Sequence, residues 1–526
     1  MTLVKTGIES LVEHRWPLLL CAIVLYSART LLRLYRLRKF RGPWATAFSS
    51  IPHRIATYKG ESHSWYREVS EQYGPIARVG PTSLITSDPD VWMHINTKLG
   101  YKRSDWYFKA NRMEHNRDNV FTQTNTKLHD ERRKQIAPGY SGRENLELES
   151  SIDTYVLEFL RLLRTKYLST PSPSSSSSSR IIPVDIAKKI PFFTLDVISA
   201  VSFGRAFGML RADADIDHYA RDSEQGLRLG NTLMALGLSG LVKGSSVLGR
   251  WWLGPKPTDK SGFGAMQGAC FRYVDDRVRN AREGKDKRRD MLASFIRHGL
   301  EGDELRSEVL LQLIAGSDTT AGALRGILLY VMAHKRVYVR LQEEIDAAVR
   351  EGKVVLDGSG EDDGVISFAA AKQLPYLQAV IREGLRVWPP VRNILPKDVP
   401  PGGDTVMVKG KPVSLPGGVD IGVSALAMHR DKALYGEDVD MFRPERWFEP
   451  DPERLADMTR VNNLTFGHGR WECLGKNVAQ MEINKILFEL FRHFDLAIAN
   501  PPKPWDIMNT MGIFMTNDML VQVTAR

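Results

Sequence analysis

The stretch TFGHGRWECLGKNVAQME, residues 465–482, decides how this chain is read. Gly467, Gly469 and Gly475 surround Cys473 immediately before a run of apolar and small residues with helical spacing. A cysteine beside a helix amino terminus has its thiolate favoured by the dipole and by free N–H groups. Glycines at these three positions let the backbone turn tightly and approach a flat ligand without a side chain in the way. Phe466 offers an aromatic face to pack beside the sulfur.

Together these features suit a thiolate ligand to haem iron, held in a dry loop that preserves its electron donation. A lone cysteine after a glycine turn reads equally as a buried structural residue, so other segments must decide. The first is Ala315-Gly316-Ser317-Asp318-Thr319-Thr320, inside the helical pattern DELRSEVLLQLIAGSDTTAGALRGILLYVMAHK. Gly316 costs about 1 kcal/mol against alanine in a helix interior, and threonine is only a fair helix former. Something other than helix stability places them there. A glycine leaves a groove for a small molecule against the backbone, and a threonine hydroxyl can bond back to a carbonyl and bend the helix. Asp318 adds a titratable group, so acid and alcohol together can pass protons towards a bound oxygen species.

A second segment, LPYLQAVIREGLRVW, sets Glu383 and Arg386 three apart on one helix face before Pro389-Pro390 end the helix. Such a pair is usually a surface ion pair worth little. Arg446 in FRPERW is the third partner that would make it more, its planar fork tying that turn to the helix if the group is buried.

With four separated segments in order, the chain resembles the cytochrome P450 family. The segments are AGSDTT at 315–320, E-x-x-R at Glu383 and Arg386, P-E-R at 444–446, and F-G-x-G with C-x-G over 466–475. The resemblance implies the cytochrome P450 fold, mainly α with a smaller β region, from about residue 40 to the end. It implies haem b (iron protoporphyrin IX), with Cys473 as proximal ligand and Phe466, Gly467, Gly469 and Gly475 shaping its loop. Asp318 and Thr319 would serve dioxygen protonation and O–O cleavage, and Glu383, Arg386 and Arg446 would be the structural triad behind the haem. The haem loop is most similar to filamentous-fungal members, including pisatin-demethylase-like enzymes. Two departures stand out. Where the family commonly has Arg or His two residues before the cysteine, to meet a haem propionate, this chain has Trp471, with Arg470 one place earlier. The family's W-x-x-x-R appears as His129 and Arg133, one helical turn apart, so both can face a carboxylate, unless they simply form an exposed basic helix face.

Outward from these motifs, the 526 residues, 43% hydrophobic and 25% charged, sit in the ordinary globular range and away from disorder. Cys21, Cys270 and Cys473 are too scattered for a disulfide framework or a zinc module, which points to a reducing compartment. Only STPSPSSSSSSR, residues 169–180, is low-complexity, and it reads as an exposed loop within one continuous core. Around it, YVLEFLRLLRTKYL reads as helix and VDIAKKIPFFTLDVISAVSFG as helical in its later half. Residues 400–430 suit a small hairpin-rich sheet, and a final helix runs from near Leu474 to about His493.

Residues 1–40 read as a membrane anchor with a basic linker, and residues 41–526 as the haem-thiolate monooxygenase domain. WPLLLCAIVLYSA at 16–28 is apolar but shorter than the roughly 20 residues that span a bilayer. Apolar residues resume after Arg29, and arginine can snorkel near a helix end, so a tilted transmembrane helix over about 11–33 is expected. Arg33, Arg36, Arg38, Lys39 and Arg41 follow it, which predicts that the catalytic domain stays in the cytosol. The resemblance to microsomal eukaryotic members implies a single-pass endoplasmic-reticulum anchor. A cleaved secretory signal, for which no A-x-A-like site follows the apolar run, and an amphipathic surface segment are the competing readings.

The expected function is a haem-thiolate monooxygenase that activates O2 to oxidise a lipophilic small molecule in fungal secondary-metabolite biosynthesis. No flavin or dinucleotide fingerprint accompanies the haem segments, so electrons must come from a partner. By family resemblance this is an NADPH-cytochrome P450 reductase, whose acidic docking surface would suit the net charge of +10. Two other readings compete: a haem-thiolate isomerase or dehydratase acting without O2, which has less need of Asp318 and Thr319, and a non-catalytic haem-binding protein. Dispersed basic residues without a recognition motif argue against nucleic acid. The family's layout implies that Leu210, Leu395, Ile513 and Phe514 face substrate, and Arg392 is the alternative there, an anchor for a propionate or a substrate acid.

Overall fold

The computed structural model describes residues 15–114, 117–170, 181–240, 254–285, 288–354 and 364–526. Helices dominate, and short strands form a minority partner. The axis is a 32-residue helix, Gly302–Ala333, which starts with Asp303 and Glu304 at its positive end and is buried through most of its length. Around it pack the helices Ile186–Phe203, Gly262–Arg282, Pro375–Val387 and Lys476–His493, whose apolar side chains form one large core.

The Ile186–Phe203 helix begins earlier than the sequence pattern suggests, with Pro191 inside its second turn. Proline reads as a breaker because it lacks the N–H that would bond Ala187, four residues back. That carbonyl instead accepts from Arg325 Nε at 3.0 Å.

A second apolar cluster, including Trp92, Ile95, Val419, Ile421 and Trp447, lies beside a five-stranded sheet. Across that sheet the strands run Ile76–Gly80, Ser83–Thr86, Asp420–Val423, Lys397–Asp398 and Lys102–Arg103. Ser83–Thr86 and Asp420–Val423 are parallel, and the other neighbours are antiparallel. Residues 404–415 form the expected hairpin, and the chain finishes in short strands, with Leu520–Ala525 between Phe494–Ile498 and Pro183–Asp185.

Of the serine-rich stretch, residues 171–180 lie outside the described residues. At its edges Ser169 N–H donates to Val523 O at 2.8 Å and Ile182 N–H donates to Ser169 Oγ at 3.0 Å, so the chain leaves and re-enters the core at one point.

The amino-terminal expectation is not met as stated. A 22-residue helix, Arg15–Arg36, is present, but no helix among the described residues is long and apolar enough to cross a membrane. The cause is Arg29 and Arg33, which interrupt the apolar surface that WPLLLCAIVLYSA begins. Residues 11–14 of the expected span lie outside the described residues. Past this helix, Leu37 and Phe40 are buried in the sheet-side core.

Candidate active site

The cysteine loop is held open by glycine geometry. Gly467 and Gly469 have φ of +78° and +61°, where a side chain is strained. A Cβ there would also stand 2.9 Å from Trp471 O and 3.0 Å from Asn96 O. Across the turn, Cys473 N–H donates to Phe466 O at 2.7 Å. Gly475 then caps the Lys476–His493 helix. Cys473 is accessible, yet protein surrounds it closely enough that burial raises its thiol above the ordinary range, against the pull of the Gly475 N–H and Arg133. Desolvation therefore outweighs the helix terminus, and a bound cation is what would favour the thiolate.

On the long helix, Ala315 is accessible although Leu313, Ser317 and Thr320 are buried. Thr319, partly accessible, donates from Oγ1 to Ala315 O at 2.7 Å. Gly316 does not leave the expected groove: a Cβ there would stand 2.7 Å from Ile198 Cγ1, so the glycine admits Ile198 instead. Asp318 accepts from Ser223 Oγ at 3.4 Å. Burial pushes its carboxyl up to about 6, against the attraction of Arg325.

Glu383, Arg386 and Arg446 come together. Arg386 donates through Nε and Nη2 to the two Glu383 oxygens at 2.9 and 2.8 Å, and Arg446 Nε donates to Oε1 at 2.9 Å. Trp447 Nε1 and the Arg443 N–H complete the acceptor shell of Glu383. Arg386 also donates to the carbonyls of His429, Val439 and Met441. Both members of the 383–386 pair have fully buried side chains, so this is a saturated network tying the helix to the 429–447 loops, not a surface pair.

A cationic cluster closes the site beside the cysteine loop. Arg103 and Lys397 are direct cross-strand partners, both buried. Between them and His129 lies Trp471, with Arg103 Cζ 4.6 Å and Lys397 Nζ 5.1 Å from its ring centre. His129, on the Thr126–Ile136 helix, sits 4.3 Å from Trp471 ring to ring. Its Nδ1 meets Asp130 Oδ1 at 2.9 Å, while Nε2 is buried without a partner. Arg133 donates to Glu472 O at 2.7 Å, and Arg470 to Asp130 at 2.9 Å. Desolvation and Arg103 together hold Lys397 well below the usual lysine range. Orphaned buried donors and like charges face to face are what an acidic ligand would relieve.

Arg103 and Lys397 escape sequence reasoning because the strand register that joins them spans most of the chain. The expected substrate-facing residues divide. Leu395 and Ile513 are partly accessible, but Leu210 and Phe514 are packed in the core. Arg392 is also buried, stacked 3.6 Å over Trp388 and 4.4 Å over Phe514, and so is not placed as a free anchor.

An accessible cysteine on a glycine turn, with a cationic cluster beside its loop, and an accessible stretch of the long helix at Ala315 fit a flat iron-bearing group with two carboxylates. The comparisons agree in kind. The family model described as Cytochrome P450 matches residues 41–524. "Cytochrome P450 monooxygenase ABA1" of Pyricularia oryzae is 38% identical over 524 residues, 98% of each chain. "Cytochrome P450 monooxygenase aba1" of Botryotinia fuckeliana is 37% identical over 93% of this chain and 92% of its own. "Cytochrome P450 monooxygenase gsfF" of Penicillium aethiopicum is 29% identical over 93% of each.

Proposed function

The chain belongs to the cytochrome P450 monooxygenase family, whose members bind haem b iron, and from that premise we propose that it oxidises a lipophilic small molecule in fungal secondary metabolism with O2 and electrons from an NADPH-dependent reductase. The observation that carries the reading is Cys473 itself, accessible at the end of a glycine turn with Arg103, Lys397, His129 and Arg133 gathered beside it. Cys473 would hold the iron, with Phe466, Gly467, Gly469 and Gly475 shaping the loop, and the cationic cluster would hold the propionates. Arg470, engaged with Asp130, would act on them through that acid. Bound there, haem supplies the binding and activation of O2.

The protein's own share is positional. Glu383, Arg386 and Arg446 fix the segment that leads into the cysteine loop. Asp318 is half-protonated near pH 6, which suits a group that takes up a proton and gives it back. Thr319, whose hydrogen is committed to Ala315 O, keeps lone pairs to receive a proton or a water at the open face of the helix. Partly accessible Val391, Leu395 and Ile513 favour an apolar substrate.

We place the protein on the endoplasmic-reticulum membrane, catalytic domain in the cytosol. Supporting this is an apolar face: Trp44 is 80% exposed, and Phe48, Ile51, Ile55 and Tyr58 are exposed with it. Leu229, Leu236 and Leu238 extend the face from the neighbouring helix, which is joined by Asn231 Nδ2 donating to Thr57 O at 2.8 Å. An exposed apolar patch of this kind marks a membrane or protein contact.

The test is reduction of the purified full chain under carbon monoxide, followed by turnover with a microsomal reductase and NADPH. A thiolate-type absorption band and NADPH-dependent O2 uptake are expected. A band without O2 uptake, with peroxide rearranged instead, would replace this reading by the isomerase one. To find the substrate, metabolites of the source organism are profiled with and without Cys473→Ala, watching for an accumulating precursor.

A further inference from the structure

We propose that Asn231 is a positioning residue for substrate choice: through one amide it holds the Met511-Gly512 turn, and with it Ile513, in a conformation that the turn would not keep alone. The proposal rests on the haem-thiolate reading above, which makes Ile513 a substrate-facing residue. It goes beyond that reading by assigning the setting of this wall to a buried residue on another element.

The turn supplies the first argument. Thr510 pairs with Ile513 where the strands Asp506–Thr510 and Ile513–Asn517 meet, so Met511 and Gly512 alone make the reversal. Their φ angles are +52° and +91°. A two-residue turn with both central residues left-handed favours Asn-Gly or Asp-Gly, whose first side chain tolerates that region. A bulky side chain such as methionine is strained there and persists only where its surroundings over-determine it. Gly512 is held by neighbours: its N–H donates to Asn509 Oδ1 at 2.9 Å, and its carbonyl accepts from the Arg392 N–H at 2.9 Å. Met511 is held from another helix.

That helix is Tyr219–Ala235, which carries Gly230 and Asn231, two poor helix formers, in its interior. A Cβ at Gly230 would lie 3.1 Å from Met511 Sδ, so the glycine makes room for the methionine side chain. Asn231 is 3% exposed. The Met511 N–H donates to its Oδ1 at 3.1 Å, and its Nδ2 donates to Thr57 O at 2.8 Å. These partners fix which way the amide points, since only the oxygen accepts and only the nitrogen donates. Thr57 lies at the end of the helix Ile51–Tyr58, so one side chain ties the turn to two helices.

The consequence falls on the wall that substrate meets. Ile513 follows the turn directly and is partly accessible, as is Leu395. On its other side the turn is pressed against the 391–395 segment, where a Cβ at Gly512 would stand 2.5 Å from Asn393 Cβ. Because Gly512 has no room in that direction, a turn that loses Asn231 gives way at Met511, and Ile513 moves with it.

Two measurements on the full chain test this. Deuterium uptake by residues 506–517 is expected to rise in Asn231→Ala and to return towards the wild-type level when Met511→Asn is added, because Asn-Gly keeps the turn by itself. In the ferric holoenzyme, absorption titrations give the dissociation constants of imidazole, which is small, and of 1-phenylimidazole, which reaches further into the site. The constant for 1-phenylimidazole relative to imidazole is expected to fall about fivefold in Asn231→Ala, as the wall yields to the larger ligand, and Met511→Asn should bring it back to within about twofold of wild type. Met511→Pro, which forbids positive φ and has no N–H, should match Asn231→Ala and carries the test if that variant does not fold. Unchanged uptake, a relative constant within about twofold of wild type in Asn231→Ala or Met511→Pro, or no rescue by Met511→Asn would overturn the proposal. A wild-type holoenzyme that gives no nitrogen-ligand absorption shift with either azole would instead overturn the reading beneath it.

Discussion

Arg325 donates through Nε to Ala187 O at 3.0 Å, the carbonyl that Pro191 cannot satisfy, and the same guanidinium is the main attraction lowering the Asp318 carboxyl. A proline in one helix thus fixes a cation that acts on an acid in another. Arg325→Met would orphan the Ala187 carbonyl at a cost of about 1–3 kcal/mol. It would also let Asp318 rise above about 6. Because the native value lies above the ordinary 3.8, the folded state holds the proton more readily, and the acid's effect on stability turns unfavourable as pH rises through that interval. In Arg325→Met the interval extends upward. The pH profile of product formed per NADPH should move its basic limb to higher pH, whereas Arg325→Lys should leave it near the wild-type position. Steady-state coupling measured between about pH 5 and pH 8 checks this.

Glu383→Gln would break a fully buried network in which one carboxylate answers two arginines, an indole and a backbone N–H. Loss of about 3–5 kcal/mol is expected, since the arginines would be left buried with a neutral partner. The urea midpoint of the haem-loaded chain and the haem content per chain should fall together.

Gly384 admits Ile327 from the long helix: a Cβ there would lie 2.3 Å from Ile327 Cγ1. Gly384→Ala should therefore cost about 1–3 kcal/mol through overpacking, despite alanine's better helix propensity. Gly402→Ala, with nothing within 4 Å, is the control and should stay within about 0.5 kcal/mol in the same unfolding assay.

What was legible in the sequence was local chemistry at short spacing. The glycine–cysteine turn, Glu383 with Arg386, and Thr319 bonding back to Ala315 all lie within a few residues of one another, where helix and turn geometry leave little choice. Arg446 needed a long-range contact, and its motif supplied one. Arg103 facing Lys397, Arg325 reaching Ala187 and Ile198 filling the space at Gly316 depend on strand register and helix packing, which no short window encodes. Pro191 hid the start of its helix for the same reason, since the donor that rescues it comes from elsewhere in the chain.

Thr319→Val keeps the shape of the side chain and removes the hydroxyl, while Thr319→Ser keeps the hydroxyl and its bond to Ala315 O. If the lone pairs on that oxygen carry a proton or water, valine should lower product per NADPH by about tenfold to a hundredfold, with NADPH still consumed, and serine should retain most of it. Equal coupling in the two variants would remove Thr319 from proton handling.

The amino-terminal helix is a truncation test argued from burial. Leu37 and Phe40 are 1% and 5% exposed in the sheet-side core, and the Arg36 side chain donates to Gly417 O. A chain beginning at Leu37 loses that tie and the Tyr35 contacts of Arg38 but no side chain of the sheet-side core, and should unfold within a few degrees of the full chain, whereas one beginning at Arg41 also loses two core side chains. Each of these is worth about 1.5–3 kcal/mol, so the second truncation should show a clearly lower thermal midpoint. Both still carry Trp44, Ile51, Ile55 and Leu236 on the exposed apolar face, so both should float with phosphatidylcholine vesicles more weakly than the full chain but not be released from them. Adding Trp44→Glu and Ile55→Glu to the Leu37 chain should abolish the remaining flotation while leaving its thermal midpoint in place, which separates attachment by this face from attachment by the helix.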